Sequence, residues 1–95
     1  MDRDEALGLL NAKLDEYRKI PYAELVAKIG HEEFPEVVGP SGTEYQMEIQ
    51  ICWDHKPDGD VRVLGSIDDG TFRGAFKPVC SDLIVRPEEH DLDNE

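Results

Sequence analysis

The sequence predicts an α+β fold in which two N-terminal helices pack on one face of an antiparallel meander of four or five strands. Three observations predict it. Apolar residues recur at helical spacing before Gly30, residues 44–53 alternate between polar and apolar, and two turn sequences give strand registers that agree. A chain of 95 residues can hold one modest core. We therefore predict a single domain over residues 1–86 and a disordered acidic tail over residues 87–95.

Residues 4–19 are predicted to form an amphipathic helix that Asp2 or Asp4 caps. Pro21 ends this helix and suits the first turn of a second one, for which Gly30 is a typical terminating residue. The apolar stripes of the two helices consist of Leu7, Leu10, Leu14, Tyr17, Tyr22, Leu25, Val26 and Ile29.

The alternation over 44–53 predicts a strand with one dry and one wetter face, which is typical of an antiparallel sheet covered on one side. The preceding segment 34–38 indicates a first hairpin, whose register the sequence leaves open. Residues 54–60 are predicted to form a turn in which Asp54 opposes Asp60, and a strand begins at Val61. The apolar pairs on the inner face would then be Ile51 with Val63 and Met47 with Ile67.

Asp69-Gly70 is a preferred two-residue hairpin sequence and predicts residues 71–76 as the fourth strand. This register sets Gly65 opposite Gly74 and leaves a dent in the inner face, which an aromatic side chain or a small ligand could fill. A short edge strand over 83–85 would complete the sheet. The apolar pairs would be Ile67 with Phe72 and Val63 with Phe76, and the candidate aromatic residues for the dent are Trp53, Tyr17 and Tyr22.

The charge balance excludes several classes of partner. Lys and Arg number 10 and Asp and Glu number 22, so the net charge is −12, which argues against binding to nucleic acid or to anionic membrane surfaces. Residues 87–95 contribute five of these acids and no Lys or Arg. The N-terminus lacks the basic start and apolar run of a signal peptide, so the cytoplasm is the expected compartment.

No motif predicts an enzyme, a cofactor or a metal. Residues 54–60 resemble part of a calcium loop, but Lys56 and Gly65 stand where such a loop needs ligands. The cysteines and histidines lack the spacing of a zinc site. Cys52 lies three residues from His55, but the two are expected to point to opposite faces of a strand unless the turn reorients His55, and Cys80 has no adjacent base for nucleophilic chemistry. In a reducing cytosol both are expected to be free thiols, and a bridge between them is left open.

The outer sheet face is the candidate interaction surface. On it Arg62 and Arg73 are flanked by Glu48 and Asp68, with which they are predicted to form cross-strand pairs. The face is then either a solvated surface or a protein-binding surface with an arginine anchor. The predicted residues of this surface are Gln46, Glu48, Gln50, Arg62, Leu64 and Arg73.

The run over 45–69, YQMEIQICWDHKPDGDVRVLGSIDD, resembles a family of small bacterial proteins known mainly as hypothetical proteins. The segments PYAELVAKIG and GPSGTEY are similar to it as well, so the resemblance covers most of residues 7–86. It implies a bacterial origin and a stand-alone domain, and it implies no activity, cofactor or site residue.

The functional prediction is a non-enzymatic protein-interaction module. One alternative is an immunity-type inhibitor of a basic toxin or nuclease, because acidic domains associate quickly with basic enzymes. Another is a small-molecule-binding protein or an enzyme. The sequence leaves the oligomeric state open.

Overall fold

The computed structural model describes residues 2–70 and 78–87. It confirms the predicted α+β class, with an open antiparallel sheet of five strands and a long first helix packed on the sheet. The elements in chain order are α1 (Arg3–Arg18), α2 (Tyr22–Ala27), β1 (Glu32–Glu33), β2 (Glu36–Val38), β3 (Glu44–Trp53), β4 (Val61–Asp68) and β5 (Val79–Val85).

The two helices begin and end close to the predicted positions. The Asp2 carboxylate caps α1 by accepting a hydrogen bond from the Glu5 amide at 3.0 Å. Helix α2 ends at Ala27, earlier than its apolar pattern suggests. The chain turns there, and Gly30 adopts a φ of +89°, which an L side chain rarely does. The Gly30 amide then donates to the carbonyl of Ile51 at 3.0 Å, which ties this turn to β3.

The sheet order is β1-β3-β4-β5, with β2 pairing with β3 beside β1. Both β1 and β2 run antiparallel to β3, and the register of the first hairpin, which the sequence left open, sets Val37 opposite Tyr45. The β3–β4 register agrees with the prediction, since Met47 lies opposite Ile67. The turn between them closes as expected, with the Asp54 amide donating to the Asp60 carbonyl at 2.9 Å.

The predicted partner of the second edge of β4 is wrong. That edge pairs with β5 from Val61 to Ile67, so Ile67 lies opposite Val79 and Gly65 lies opposite Ser81 rather than Gly74. Asp69-Gly70 is a local turn signal, whereas this pairing buries Val79, Leu83 and Val85 on the inner face. A strand has two edges, and β3 and β5 occupy both edges of β4. The predicted strand over 71–76 itself lies outside the described residues.

The core lies between the inner face of the sheet and α1, and α2 contributes Leu25 to it. Ile49 and Val63, which a wrong β3–β4 register would expose, are both fully buried. The buried residues of this core are Ala6, Leu10, Leu14, Tyr17, Leu25, Tyr45, Met47, Ile49, Ile51, Val61, Val63, Ile67, Val79, Leu83 and Val85.

One predicted core residue of α1, Leu7, is 38% exposed. The buried stripe instead starts at Ala6 and continues through Leu10 and Leu14 at four-residue spacing. Leu7 lies about 100° further around the helix. The helix therefore meets the sheet through a narrower stripe than the apolar pattern suggests.

The dent at Gly65 is filled by aliphatic side chains of α1, not by the predicted aromatic residue. A Cβ atom on Gly65 would lie 2.8 Å from Leu10 Cδ1, and 3.3 Å from both Leu14 Cδ2 and Ile49 Cδ1. The absence of a side chain at Gly65 thus allows Leu10 and Leu14 of α1 to pack closely on β4. This packing occupies the space that a ligand beneath the helix would need.

Candidate interaction surface

The face of the sheet opposite α1 carries the predicted interaction residues. Along β3 and β4 the buried inner side chains alternate with exposed or half-buried outer ones. We call the following set the outer face: Gln46, Glu48, Gln50, Cys52, Arg62, Leu64, Ser66, Asp68, Cys80, Asp82 and Ile84.

The structure brings five of the six predicted surface residues together on this face. Across the β3–β4 pair, Gln50 lies opposite Leu64, Glu48 lies opposite Ser66, and Gln46 lies opposite Asp68. The remaining members of the predicted set are Arg62, which is on this face, and Arg73, which lies outside the described residues.

Arg62 is held by two aspartates rather than by the predicted partners Glu48 and Asp68. Its Nε lies 2.7 Å from Asp54 Oδ1, and its Nη1 lies 2.6 Å from Asp82 Oδ2. Glu48 is out of reach because its row on β4 is four residues from that of Arg62. The hydrogen bond to Asp54, together with the charges of both aspartates, raises the pKa of the guanidinium. Arg62 is therefore a tie between the β3–β4 loop and β5, not an unengaged anchor.

A shallow concavity of about 460 Å³ lies at the centre of the outer face. It forms where short side chains meet, because Ser66 and Cys80 are neighbours across β4 and β5 while Leu64 forms an apolar floor. Longer polar side chains stand around it, and Gln50 Nε2 donates to Glu48 Oε1 at 3.2 Å. The lining residues are Glu48, Gln50, Leu64, Gly65, Ser66, Cys80, Ser81 and Asp82.

The sequence prediction missed the β5 half of this concavity. Cys80 and Asp82 join it only because β5 pairs with β4, and the prediction had given that edge to residues 71–76. The spacing of Val79, Leu83 and Val85 is compatible with one strand face. The alternation over β5 is broken, however, by the polar Ser81 on the inner face and the apolar Ile84 on the outer face.

A second concavity, of about 400 Å³, lies beside the first hairpin. Val38, 64% exposed, forms part of its wall. Its other lining residues in the described part of the chain include three acids and no Lys or Arg, and they are Glu36, Val37, Glu44, Tyr45, Gln46 and Asp69.

The two cysteines are both free. They share the outer face, but Cys52 lies opposite Arg62 whereas the partner of Cys80 is Ser66. The strand β4 and roughly 13 Å along the sheet separate them, which exceeds the reach of a disulfide. Cys80 is exposed at the wall of the central concavity, and its Sγ lies 3.7 Å from the carbonyl of Pro78.

The 54–60 turn is a structural connection in the described structure. Asp58 adopts a φ of +68°, and the Gly59 amide donates to the carbonyl of Lys56 at 3.2 Å. The hydroxyl of Tyr22 donates to the Gly59 carbonyl at 2.7 Å and ties α2 to the turn. Within 2–70 and 78–87, no three His, Cys, Asp or Glu side chains come close enough to hold a metal ion.

A cluster of hydrogen bonds to the Glu5 carboxylate joins the start of α1 to the first hairpin. Glu5 accepts hydrogen bonds from the Tyr45 hydroxyl at 2.6 Å, the Ser41 hydroxyl at 2.8 Å and the Ser41 amide at 3.0 Å. Gly39 leaves room for it, since a Cβ atom there would lie 2.7 Å from Glu5 Oε1. The bond from Tyr45, followed by those from Ser41, lowers the pKa of Glu5, and the same bond raises the pKa of Tyr45 to about 12.

This cluster predicts a pH-dependent stability. A lowered folded-state pKa stabilises the protein above the unfolded-state value of about 4.3, and that contribution disappears as the pH falls through the folded-state value. The difference in Tm between the wild type and Glu5→Gln, followed by circular dichroism, is therefore expected to be larger at pH 7 than at pH 3. Tyr45→Phe removes the hydroxyl that contributes most to lowering the pKa of Glu5. In a Tyr45→Phe background, the effect of Glu5→Gln on Tm should therefore depend less on pH. Equal differences at both pH values would contradict the assignment.

Across the two described ranges, no helix combines the length and the apolar character needed to cross a membrane. No protein-family model, curated protein or solved structure matches the chain. The resemblance to small bacterial hypothetical proteins therefore stays a prediction from the residues that carry it.

Proposed function

We propose that the protein is a non-enzymatic protein-interaction module that docks a partner protein on the outer face. The support comes from the packing of the described residues, which covers one face of the sheet. Helix α1 covers the inner face, while the opposite face presents a half-buried Leu64 surrounded by the polar side chains of Glu48, Gln50 and Asp82. An apolar centre with a hydrogen-bonding rim is the usual anatomy of a protein–protein interface.

The shape of the central concavity favours a protein over a small molecule. Small-ligand pockets enclose most of the ligand surface, whereas this concavity opens broadly to solvent on the face of a sheet. Within the two described ranges its lining contains one thiol, at Cys80, and no histidine, lysine or arginine that could activate it. A shallow and open surface of this kind suits docking by another protein.

The experiment fills the concavity without changing its charge. Ser66→Tyr places an aromatic ring in the concavity, where it should block docking by steric overlap. Its matched control is Ala12→Tyr, the same kind of addition at an exposed position of α1. Immobilised wild-type protein and Ala12→Tyr are expected to retain the same saturable partner from an extract of the cell that makes the protein. Ser66→Tyr is expected to retain at least about tenfold less, which corresponds to about 1.4 kcal/mol of binding free energy.

Circular dichroism would first establish that both variants are folded. Equal retention by Ser66→Tyr and the wild type would remove the outer face as the docking surface. The absence of any saturable partner in a concentration series would count against an interaction module altogether.

A further inference from the structure

The charged residues that line the two concavities within the described part of the chain are all acidic. The central concavity is lined by Glu48 and Asp82, and the one beside the hairpin by Glu36, Glu44 and Asp69. Among residues 2–70 and 78–87, no Lys or Arg lines either concavity. On the described part of the outer face Arg62 is the one cation, and Asp54 and Asp82 already engage it.

Glu48 is an exposed acid at the edge of the central concavity. Its side chain is exposed and accepts a hydrogen bond from the neutral amide of Gln50 at 3.2 Å. Within 2–70 and 78–87 no Lys, Arg or His forms an ion pair with it. Asp82 is exposed as well, and one of its oxygens, Oδ2, receives the Arg62 guanidinium. A partner covering this face would have to supply a cation, because a buried carboxylate without one is costly.

The register places the two carboxylates on opposite sides of an apolar floor. Glu48 lies on β3 and Asp82 on β5, two strand spacings across the sheet and two residues along it, or about 12 Å apart, and Leu64 lies on β4, opposite both Gln50 and Asp82. Lysine and arginine have apolar stems that pack on such a floor while their charged ends reach outward. The arrangement thus matches a long cationic side chain better than a purely aliphatic or aromatic one.

We infer that the partner is a basic protein that inserts a lysine or arginine side chain into the central concavity, with its stem on Leu64 and its charge near Glu48 and Asp82. This inference rests on the proposed function and adds the chemistry of the partner. A second copy of this chain is a poor occupant, because it would bring the same acids to the interface. Association with a basic partner should be accelerated by long-range attraction, and the rate should fall as salt is added.

The test uses the full chain and three synthetic peptides of equal length. In each, leucine alternates with one other residue: arginine, serine or glutamate. The arginine peptide is expected to bind saturably and to shift the backbone amide NMR signals of Glu48, Leu64 and Asp82, and high salt should weaken it. Glu48→Gln should weaken binding by about 3–5-fold, the upper range for an exposed ion pair. Glu24→Gln, an equal charge change at an exposed position of α2, is the matched control and should leave binding unchanged.

Each other outcome overturns a distinct claim. Equal binding of the serine or glutamate peptide, or equal effects of Glu48→Gln and Glu24→Gln, would overturn the cationic anchor. If the cellular partner is lost with Ser66→Tyr but its retention is insensitive to salt and to Glu48→Gln, the outer face still docks a protein and the inferred chemistry is wrong. A homodimer in sedimentation that Ser66→Tyr abolishes would assign the surface to a second copy. Retention unaffected by Ser66→Tyr would remove the proposed function itself.

Discussion

Gly65→Val is expected to destabilise the fold by about 2–3 kcal/mol, because no side chain fits between β4 and α1. Even a Cβ atom would lie 2.8 Å from Leu10 Cδ1, and both Leu10 and Ile49 are fully buried and cannot move into solvent. Chemical denaturation followed by circular dichroism measures the change, and thermal unfolding should shift by roughly 4–8 °C per kcal/mol.

Ser66→Val is the matched control for this substitution. It places the same β-branched side chain on the next residue of β4, where it points to the half-buried outer face. We expect a change within about 0.5 kcal/mol there. If Gly65→Val unfolds at the same midpoint as the wild type, α1 does not pack against β4 at this position.

Leu10→Ala is expected to destabilise the protein by about 2–5 kcal/mol, because a fully buried side chain is replaced by a cavity. This is a large share of the roughly 5–15 kcal/mol that holds a small domain folded. Equilibrium unfolding in urea provides the measurement. Leu7→Ala on the same helix is the control, and since Leu7 is 38% exposed we expect it to lose less than about 1 kcal/mol.

A double-mutant cycle joins the two substitutions. Gly65→Ala should destabilise the wild type, yet it should cost less in the Leu10→Ala background, because the closest atom to the new Cβ is then gone. Equal effects of Leu7→Ala and Leu10→Ala would contradict the observed orientation of α1, which turns Leu10 toward the sheet and Leu7 toward solvent. Additive behaviour of Gly65→Ala and Leu10→Ala would contradict the contact between them.

The β3–β4 hairpin could be predicted in detail because local patterns on both strands point to one answer. The alternation over 44–53, the turn over 54–60 and the apolar residues from Val61 onward all agree on one register. The orientation of α1 about its own axis was less predictable than this hairpin. Ala6 and Leu7 are both apolar, and only packing against the sheet selects Ala6 for the core.

The candidate surface divides in the same way. Glu48, Gln50 and Leu64 were assigned to the outer face from period-two alternation, which requires no knowledge of the other strands. The partners of Arg62 were not, because Asp82 comes within reach only through the pairing of β5 with β4. Ion pairs between distant segments depend on a register that no local pattern encodes.

By itself, the sequence determined the local elements: a first helix capped by an aspartate, a second helix followed by Gly30, and a long alternating strand. The alternation of that strand also indicated a sheet with one apolar face. The tertiary structure alone decided which segment occupies the second edge of β4, and hence that Cys80 and Asp82 share a concavity with Leu64. The physical reason is that turn sequences act over a few residues, whereas strand partners are selected by the apolar surface they bury together. Val79, Leu83 and Val85 bury that surface beneath α1.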